Sequence, residues 1–194
     1  MNSEGYDAFE DPYCYLRTSV LRNRLDIRDQ AELDAFEVEI STLRAEEPLP
    51  EGNFDPPHYC RIHHHLFQDV YAWAGHNRTV RIAKGGNSFC YPEHIAAQMD
   101  LLFPNLQHPE DFVSVEPETL LHNVTTFLGE LNAIHPFREG NGRTQLAFLS
   151  LIGEFSGHPF HFEELNRATY LPAVIASYFG NLQPLRDELR KRLT

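Results

Sequence analysis

A chain of 194 residues suits one globular domain with a sizeable apolar core. Its 42% hydrophobic and 23% charged residues are ordinary for a folded protein and argue against global disorder. With 16 Lys and Arg against 28 Asp and Glu the formal net charge is −12, which argues against a nucleic-acid binder, because neutralising phosphates supplies most of that affinity.

The chain starts MNSEGYDAFEDPY, acidic and without the basic-then-apolar pattern of a signal peptide, and residues 1–28 read as an N-terminal extension. Asp29 is suited to cap a helix, with Glu32 in capping-box position, and Leu33, Phe36, Ile40 and Leu43 follow at helical spacing until Pro48 and Pro50. Pro56 and Pro57 open a second helix, with Ile62, Leu66, Val70 and Trp73 on one face and Gly75 as its stop. The period then changes. Residues 79–82 alternate polar and apolar, Lys84-Gly85-Gly86-Asn87 reads as a turn, and residues 88–91 return, so 77–92 is expected to be a β-hairpin. Helical spacing resumes over 93–106 and again over 118–134, where Leu120, Val124, Phe127, Leu131 and Ile134, flanked by Leu121 and Leu128, make a face wide enough for a central helix. Residues 143–155 are apolar almost all round and end at Gly157. Two more helices are expected over 163–178 and 183–193, the last closing on Arg190, Lys191 and Arg192, which complement its dipole. No apolar run approaches the roughly 20 residues that span a bilayer. Cys14, Cys60 and Cys90 form no CxxC pair and suggest no disulfide framework, so a reduced, cytoplasmic protein is expected.

The interruption His135-Pro136-Phe137-Arg138-Glu139-Gly140-Asn141-Gly142-Arg143 joins two helices that read as buried, an expensive place for polar residues unless something binds there. Gly140 and Gly142 flank Asn141 and admit close approach that a Cβ would hinder. Their N–H groups stand at the start of the next helix, where unpaired donors and the helix dipole make an anion site. Arg143 adds a fork suited to phosphate oxygens. Glu139 would repel a phosphate unless a divalent cation bridges the two, and Mg²⁺ is usually held by one or two carboxylates plus phosphates. His135, across the loop, is a base that can be neutral near pH 7. Base, metal-binding carboxylate and anion cradle together fit phosphoryl or nucleotidyl transfer to a hydroxyl. His63-His64-His65 is not read as a metal cluster, because consecutive helical side chains diverge by about 100°. His63 is expected to pack inward with Ile62 and Leu66, and Trp73 to anchor the core.

These same residues resemble the signature of the Fic (filamentation induced by cAMP) family, H-x-F-x-(D/E)-G-N-G-R-x-x-R. Asp11-Pro12-Tyr13, Leu21-Arg22-Asn23, Val70-Tyr71-Ala72-Trp73-Ala74-Gly75, Thr79-Val80-Arg81-Ile82, Lys84-Gly85-Gly86 and Glu130-Leu131-Asn132 also resemble stretches of small bacterial Fic proteins, so the resemblance covers nearly the whole chain. It implies a mainly α, single-domain Fic fold: a helical bundle with a β-hairpin flap over the site and a catalytic loop and helix start at 135–146. It implies transfer of AMP from ATP to a hydroxyl side chain of a target protein, with pyrophosphate leaving. His135 would deprotonate the hydroxyl, and Glu139 would hold Mg²⁺ against the α- and β-phosphates. Gly140, Asn141 and Gly142 would bind the α-phosphate region, Arg143 the outer phosphates, and Phe137 would anchor the loop. Lys84 and Gly85 would lie near the nucleotide. The flap residues Arg81, Ile82, Ala83, Lys84, Gly85 and Gly86 would dock the target, as an exposed hairpin edge does by strand addition.

The chain departs from the pattern at Leu146, where the family has its second Arg, associated with the γ-phosphate. The change removes a charge-assisted contact of ~1.5–3 kcal/mol. It leaves as alternatives a Fic-fold transferase moving UMP, phosphate or phosphocholine, and a catalytically weakened nucleotide-binding module. Family members are often restrained by a helix bearing (S/T)-x-x-x-E-(G/N). The nearest segment here, Thr42-Leu43-Arg44-Ala45-Glu46, is followed by Glu47 and fits the first core helix. The resemblance therefore implies either the toxin half of a toxin–antitoxin pair, with the inhibitory helix on a small antitoxin, or a domain of an effector delivered to a host cell. DNA gyrase and topoisomerase IV are the targets suggested in the first case, host GTPases in the second.

Overall fold

The computed structural model describes residues 11–106 and 115–194. Asp29 accepts a hydrogen bond from Glu32 N at 2.9 Å and starts α1 (Gln30–Glu46). Asp55 does the same from His58 N at 2.7 Å for α2 (Pro56–Phe67), whose two prolines occupy first-turn positions that need no N–H. The helices α3 (Ile95–Leu102), α4 (Pro117–Ile134), α5 (Asn141–Ser156), α6 (Arg167–Tyr178) and α7 (Gln183–Arg190) follow. Between α2 and α3 lies a hairpin of β1 (Ala83–Lys84) and β2 (Asn87–Ser88), antiparallel, with Ala83 opposite Ser88 and Lys84 opposite Asn87.

The widely apolar helix is the central one. α4 packs against α3, α5, α6 and α7, and ten of its residues are buried. α2 lies against both α1 and α5. Their shared core is aromatic: Phe148 of α5 meets the Tyr59 ring of α2 edge-on at 5.3 Å, and Phe127 of α4 lies 5.0 Å from Phe103. Among the described residues no helix is long and apolar enough to cross a membrane. Cys14, Cys60 and Cys90 are free thiols.

Four expectations are revised. The second helix ends at Phe67, and Val70, Tyr71 and Ala74 are buried by successive turns in which Val70 N and Tyr71 N both donate to Phe67 O. A helical burial period thus continues through chain that is no longer helix. The strands are two residues each, although Phe89 N donating to Ile82 O at 3.2 Å carries the pairing one step further. The sixth helix starts at Arg167, where Asn166 caps it through Ala168 N. On α1, Leu43 is 52% exposed, while Glu37 and Ser41 share the buried face with Leu33. Those two polar residues face the site.

Candidate active site

Everything at the centre of the site depends on how α4 ends. His135 is its C-cap, in the left-handed region at φ 51 and ψ 64, a conformation that a residue with a Cβ holds only when its surroundings impose it. The buried Arg78 does much of the imposing. Its Nε donates to His135 O at 2.8 Å, Nη2 to Ile134 O at 3.2 Å and Cys90 O at 2.6 Å, and Nη1 to Val80 O at 2.7 Å, while its own N–H donates to Pro136 O at 2.8 Å. One guanidinium therefore joins both legs of the hairpin to the end of α4 and the start of the loop.

The His135 imidazole is buried, with Nδ1 3.1 Å from Asn132 O, so Nδ1 carries the proton and Nε2 keeps its lone pair. Phe89, just after β2, stacks on the ring at 4.0 Å and 19°. Burial pushes the imidazole pKa down to about 3 against the pull of Asn132 O, and the positive charges of Arg78 and Lys84 add smaller pushes in the same direction as burial. His135 is a neutral base.

The rest of the loop is pinned from below. Phe137 is fully buried between Tyr59, stacked at 5.4 Å, and His63, stacked at 3.8 Å. Asn141 uses its whole side-chain amide on the loop: Oδ1 accepts from Phe137 N at 3.0 Å and Nδ2 donates to Phe137 O at 2.8 Å, which leaves only its backbone N–H for a ligand. Gly140 has φ 80, and a Cβ there would stand 2.4 Å from the Phe67 ring, so no other residue fits. Arg138 turns away into a buried ion pair with Asp11 at 2.7 Å. His63 receives Gly75 N–H on Nδ1 at 2.8 Å and donates from Nε2 to Glu139 O at 3.0 Å; burial holds its pKa down at about 3. His64 and His65 bond to Ala74 O and Arg44 O, so the three consecutive histidines diverge as expected.

The charged half of the site begins at Glu139. Its Oε1 accepts Gly140 N–H at 2.9 Å and lies 4.0 Å from Arg143 Nη2. Desolvation and the nearby Glu37 carboxylate hold its carboxyl above the usual range, against the pull of Gly140 N–H, Arg143 and Arg138. Arg143, in the first turn of α5, donates from Nη1 to Ser41 Oγ at 2.9 Å and from Nη2 to Glu37, whose other oxygen accepts from Tyr71 Oη. The N–H groups of Asn141, Gly142 and Arg143 open α5 and have no acceptor within the helix, and nothing lies within 4 Å of where a Gly142 Cβ would be. No three His, Cys, Asp or Glu side chains converge among the described residues. A cation here would take Glu139 as its protein carboxylate and complete its shell with phosphate oxygens and water, which suits Mg²⁺.

On the hairpin, Gly85 and Gly86 are exposed at the tip with φ 57 and 80, and Ala83 and Lys84 are half-buried. Ile82 is turned into the protein, while Arg81 is exposed with its guanidinium over the Tyr91 ring at 4.1 Å, so the expected docking segment is open at Arg81 and at its tip. Leu146 packs against the core. Sequence reasoning missed Arg78, Phe89, Glu37, Ser41, Tyr71 and the pairing role of Asp11. For Glu37 and Ser41 there was a signal: polar residues four and eight positions after Leu33 on an apolar helix face.

A model of the Fic/DOC family matches residues 53–152. The chain is 47% identical to a probable protein adenylyltransferase of Sinorhizobium fredii, over 97% of this chain and 98% of that one. It is 33% identical to the protein adenylyltransferase VbhT of Bartonella schoenbuchensis, over 97% of this chain but 40% of that longer protein. The crystal structure of BepC, a VirB-translocated effector protein of Bartonella tribocorum with bound AMPPNP, matches with a TM-score of 0.83 at 25% identity, covering 94% of this chain and 96% of that one.

Proposed function

Because the chain belongs to the Fic/DOC family, we propose that it is a protein adenylyltransferase, moving AMP from ATP to a hydroxyl side chain of a target protein. The observation that carries this is the pairing, across one nine-residue loop, of a neutral imidazole with Nε2 unprotonated and a helix start offering backbone donors and Arg143. In the reaction His135 Nε2 accepts the proton of the target hydroxyl as its oxygen attacks the α-phosphorus. The bond from the α-phosphorus to the bridging oxygen breaks, and pyrophosphate leaves with that electron pair. The N–H groups of Asn141 and Gly142 face the charge that develops on the α-phosphoryl oxygens, and Arg143 holds the outer phosphates. Glu139 is the residue that would hold Mg²⁺, which would supply charge neutralisation of the leaving group. Lys84, Gly85 and Gly86 at the hairpin tip lie against nucleotide and target.

Incubation with α-³²P-ATP, Mg²⁺ and a bacterial lysate tests the reading. Label on a protein that disappears with His135→Ala is expected; label from γ-³²P-ATP alone would make the enzyme a kinase, and none from either would leave a binding module. Leu146 favours one variation, a donor other than ATP, and unlabelled UTP or CTP competing better than ATP would establish it. Regulation, on the same reading, belongs to a small partner that carries the inhibitory helix, since the nearest matching segment is locked into α1. Co-purification with such a partner that lowers label transfer is expected; activity unchanged by it would count against this. Gyrase and topoisomerase IV are the targets to assay first.

A further inference from the structure

Arg143 is gripped on three sides by groups that the family signature does not contain, and from this we infer that Glu37 and Tyr71 are positioning residues, presetting the guanidinium for the outer phosphates of the nucleotide. The inference rests on the reading of residues 140–143 as a nucleotide cradle. On one side Nη1 donates to Ser41 Oγ at 2.9 Å, and on a second Nη2 donates to Glu37 Oε1. On the third the guanidinium lies 4.7 Å from the centroid of the Phe67 ring. Glu37 is itself fixed, because it is 8% exposed and its Oε2 accepts from Tyr71 Oη, whose ring is 1% exposed and stacked on Trp73 at 4.4 Å.

The donor count separates a support from a competitor. A guanidinium has five N–H groups, and α1 uses two of them. Glu139 stands 4.0 Å from Nη2, beyond hydrogen-bonding distance, and the Arg143 side chain is 34% exposed, so the remaining donors are open to a ligand. A phosphate that pulled Arg143 away would strand the Glu37 carboxylate in a buried place without its counter-ion, which is strongly unfavourable. Binding therefore takes the free donors while the pair stays closed. Leu146 raises the importance of this support. With no second arginine at that position, the outer phosphates rely on Arg143, and fixing its long side chain beforehand spares the ordering cost of binding.

The test is a titration of Mg·AMPPNP into the wild type, Glu37→Gln, Arg143→Ala and the double variant, with melting curves to verify folding. We expect Glu37→Gln to weaken binding about tenfold, the loss of one charge-assisted contact, and to have no further effect once Arg143 is Ala. KM for ATP should rise while kcat changes little. Tyr71→Phe, which keeps the stacked ring, should weaken binding about threefold. Should Glu37→Gln fail to fold, Ser41→Ala removes only the Nη1 contact and should also cost about threefold, again only with Arg143 present. Tighter binding by Glu37→Gln would identify Glu37 as a competitor for Arg143 and overturn the inference. Unchanged binding, or an equal loss in the Arg143→Ala background, would overturn it as well. A wild type that binds no nucleotide would instead defeat the adenylyltransferase reading on which the inference stands.

Discussion

At His135 the protein strips away water and lets the imidazole stay neutral beneath Phe89, with the residue 7% exposed. At Arg143 it does the reverse, gathering two carboxylates around a cationic side chain that is 34% open to solvent. The two lie eight positions apart in one loop-and-helix segment. Proton acceptance needs a base whose charge state does not vary, and desolvation supplies it without any counter-ion. Phosphate binding needs a positive field fixed in direction, and an ion network supplies that while leaving a face for the ligand. Separate supports serve the two tasks: Arg78 and Phe89 from the hairpin region for the base, and α1 with Tyr71 for the cation.

That division can be broken most forcefully at the base. His135→Ala should lower label transfer by about 10³-fold while Mg·AMPPNP affinity, measured calorimetrically, stays within about twofold; a large loss of affinity would mean that the halves are not separate. Asp11→Ala should be felt in both halves, because it removes a buried ion pair of Arg138, in the loop between them. A loss of about 3 kcal/mol in denaturant unfolding is expected, with kcat and nucleotide affinity reduced together. Arg143→Ala should cost about thirtyfold in nucleotide affinity and leave the pH dependence of turnover as it was. Phe89→Ala should give the smallest effect at neutral pH and the most informative one in acid.

His135 governs how the enzyme is expected to respond to acid. Its folded pKa, about 3, lies below the ordinary 6.5, so the contribution of neutral His135 to stability is complete above about pH 6.5 and declines as the pH falls toward 3. Wild-type turnover should accordingly show no acid limb from this group between pH 5 and 8. Opening the ring to water with Phe89→Ala should raise the pKa toward 6.5, and a limb near pH 6 in the kcat profile should appear. A wild-type limb at that position that vanishes in His135→Gln would show that the base is not desolvated.

The loop was legible in the sequence because its chemistry is contiguous: base, carboxylate, glycines and arginine fall within nine residues. The long helices were legible because α4 and α5 bury wide faces with a regular period. What was not legible is the support, since each member comes from far along the chain. Ser41 and Glu37 are 102 and 106 residues from Arg143, and Asp11 is 127 from Arg138. Arg78 was hidden for another reason. Its hydrogen bonds to the carbonyls of Ile134, His135, Val80 and Cys90 use backbone atoms that any sequence provides, so those contacts leave no mark in the residue types that make them. The stop of α2 was misplaced because turns after Phe67 bury Val70 and Tyr71 at intervals that imitate a helix.

His135 closes an 18-residue helix, so its bearing is set by a count. Adding or removing one residue within α4 would turn everything beyond the edit by about 100° and shift it about 1.5 Å along the axis. The apolar packing of a central helix would have to choose between keeping its own register and keeping the imidazole under Phe89. The catalytic group is thus indexed to the core, and length changes that surface loops absorb without consequence would here disconnect folding from activity.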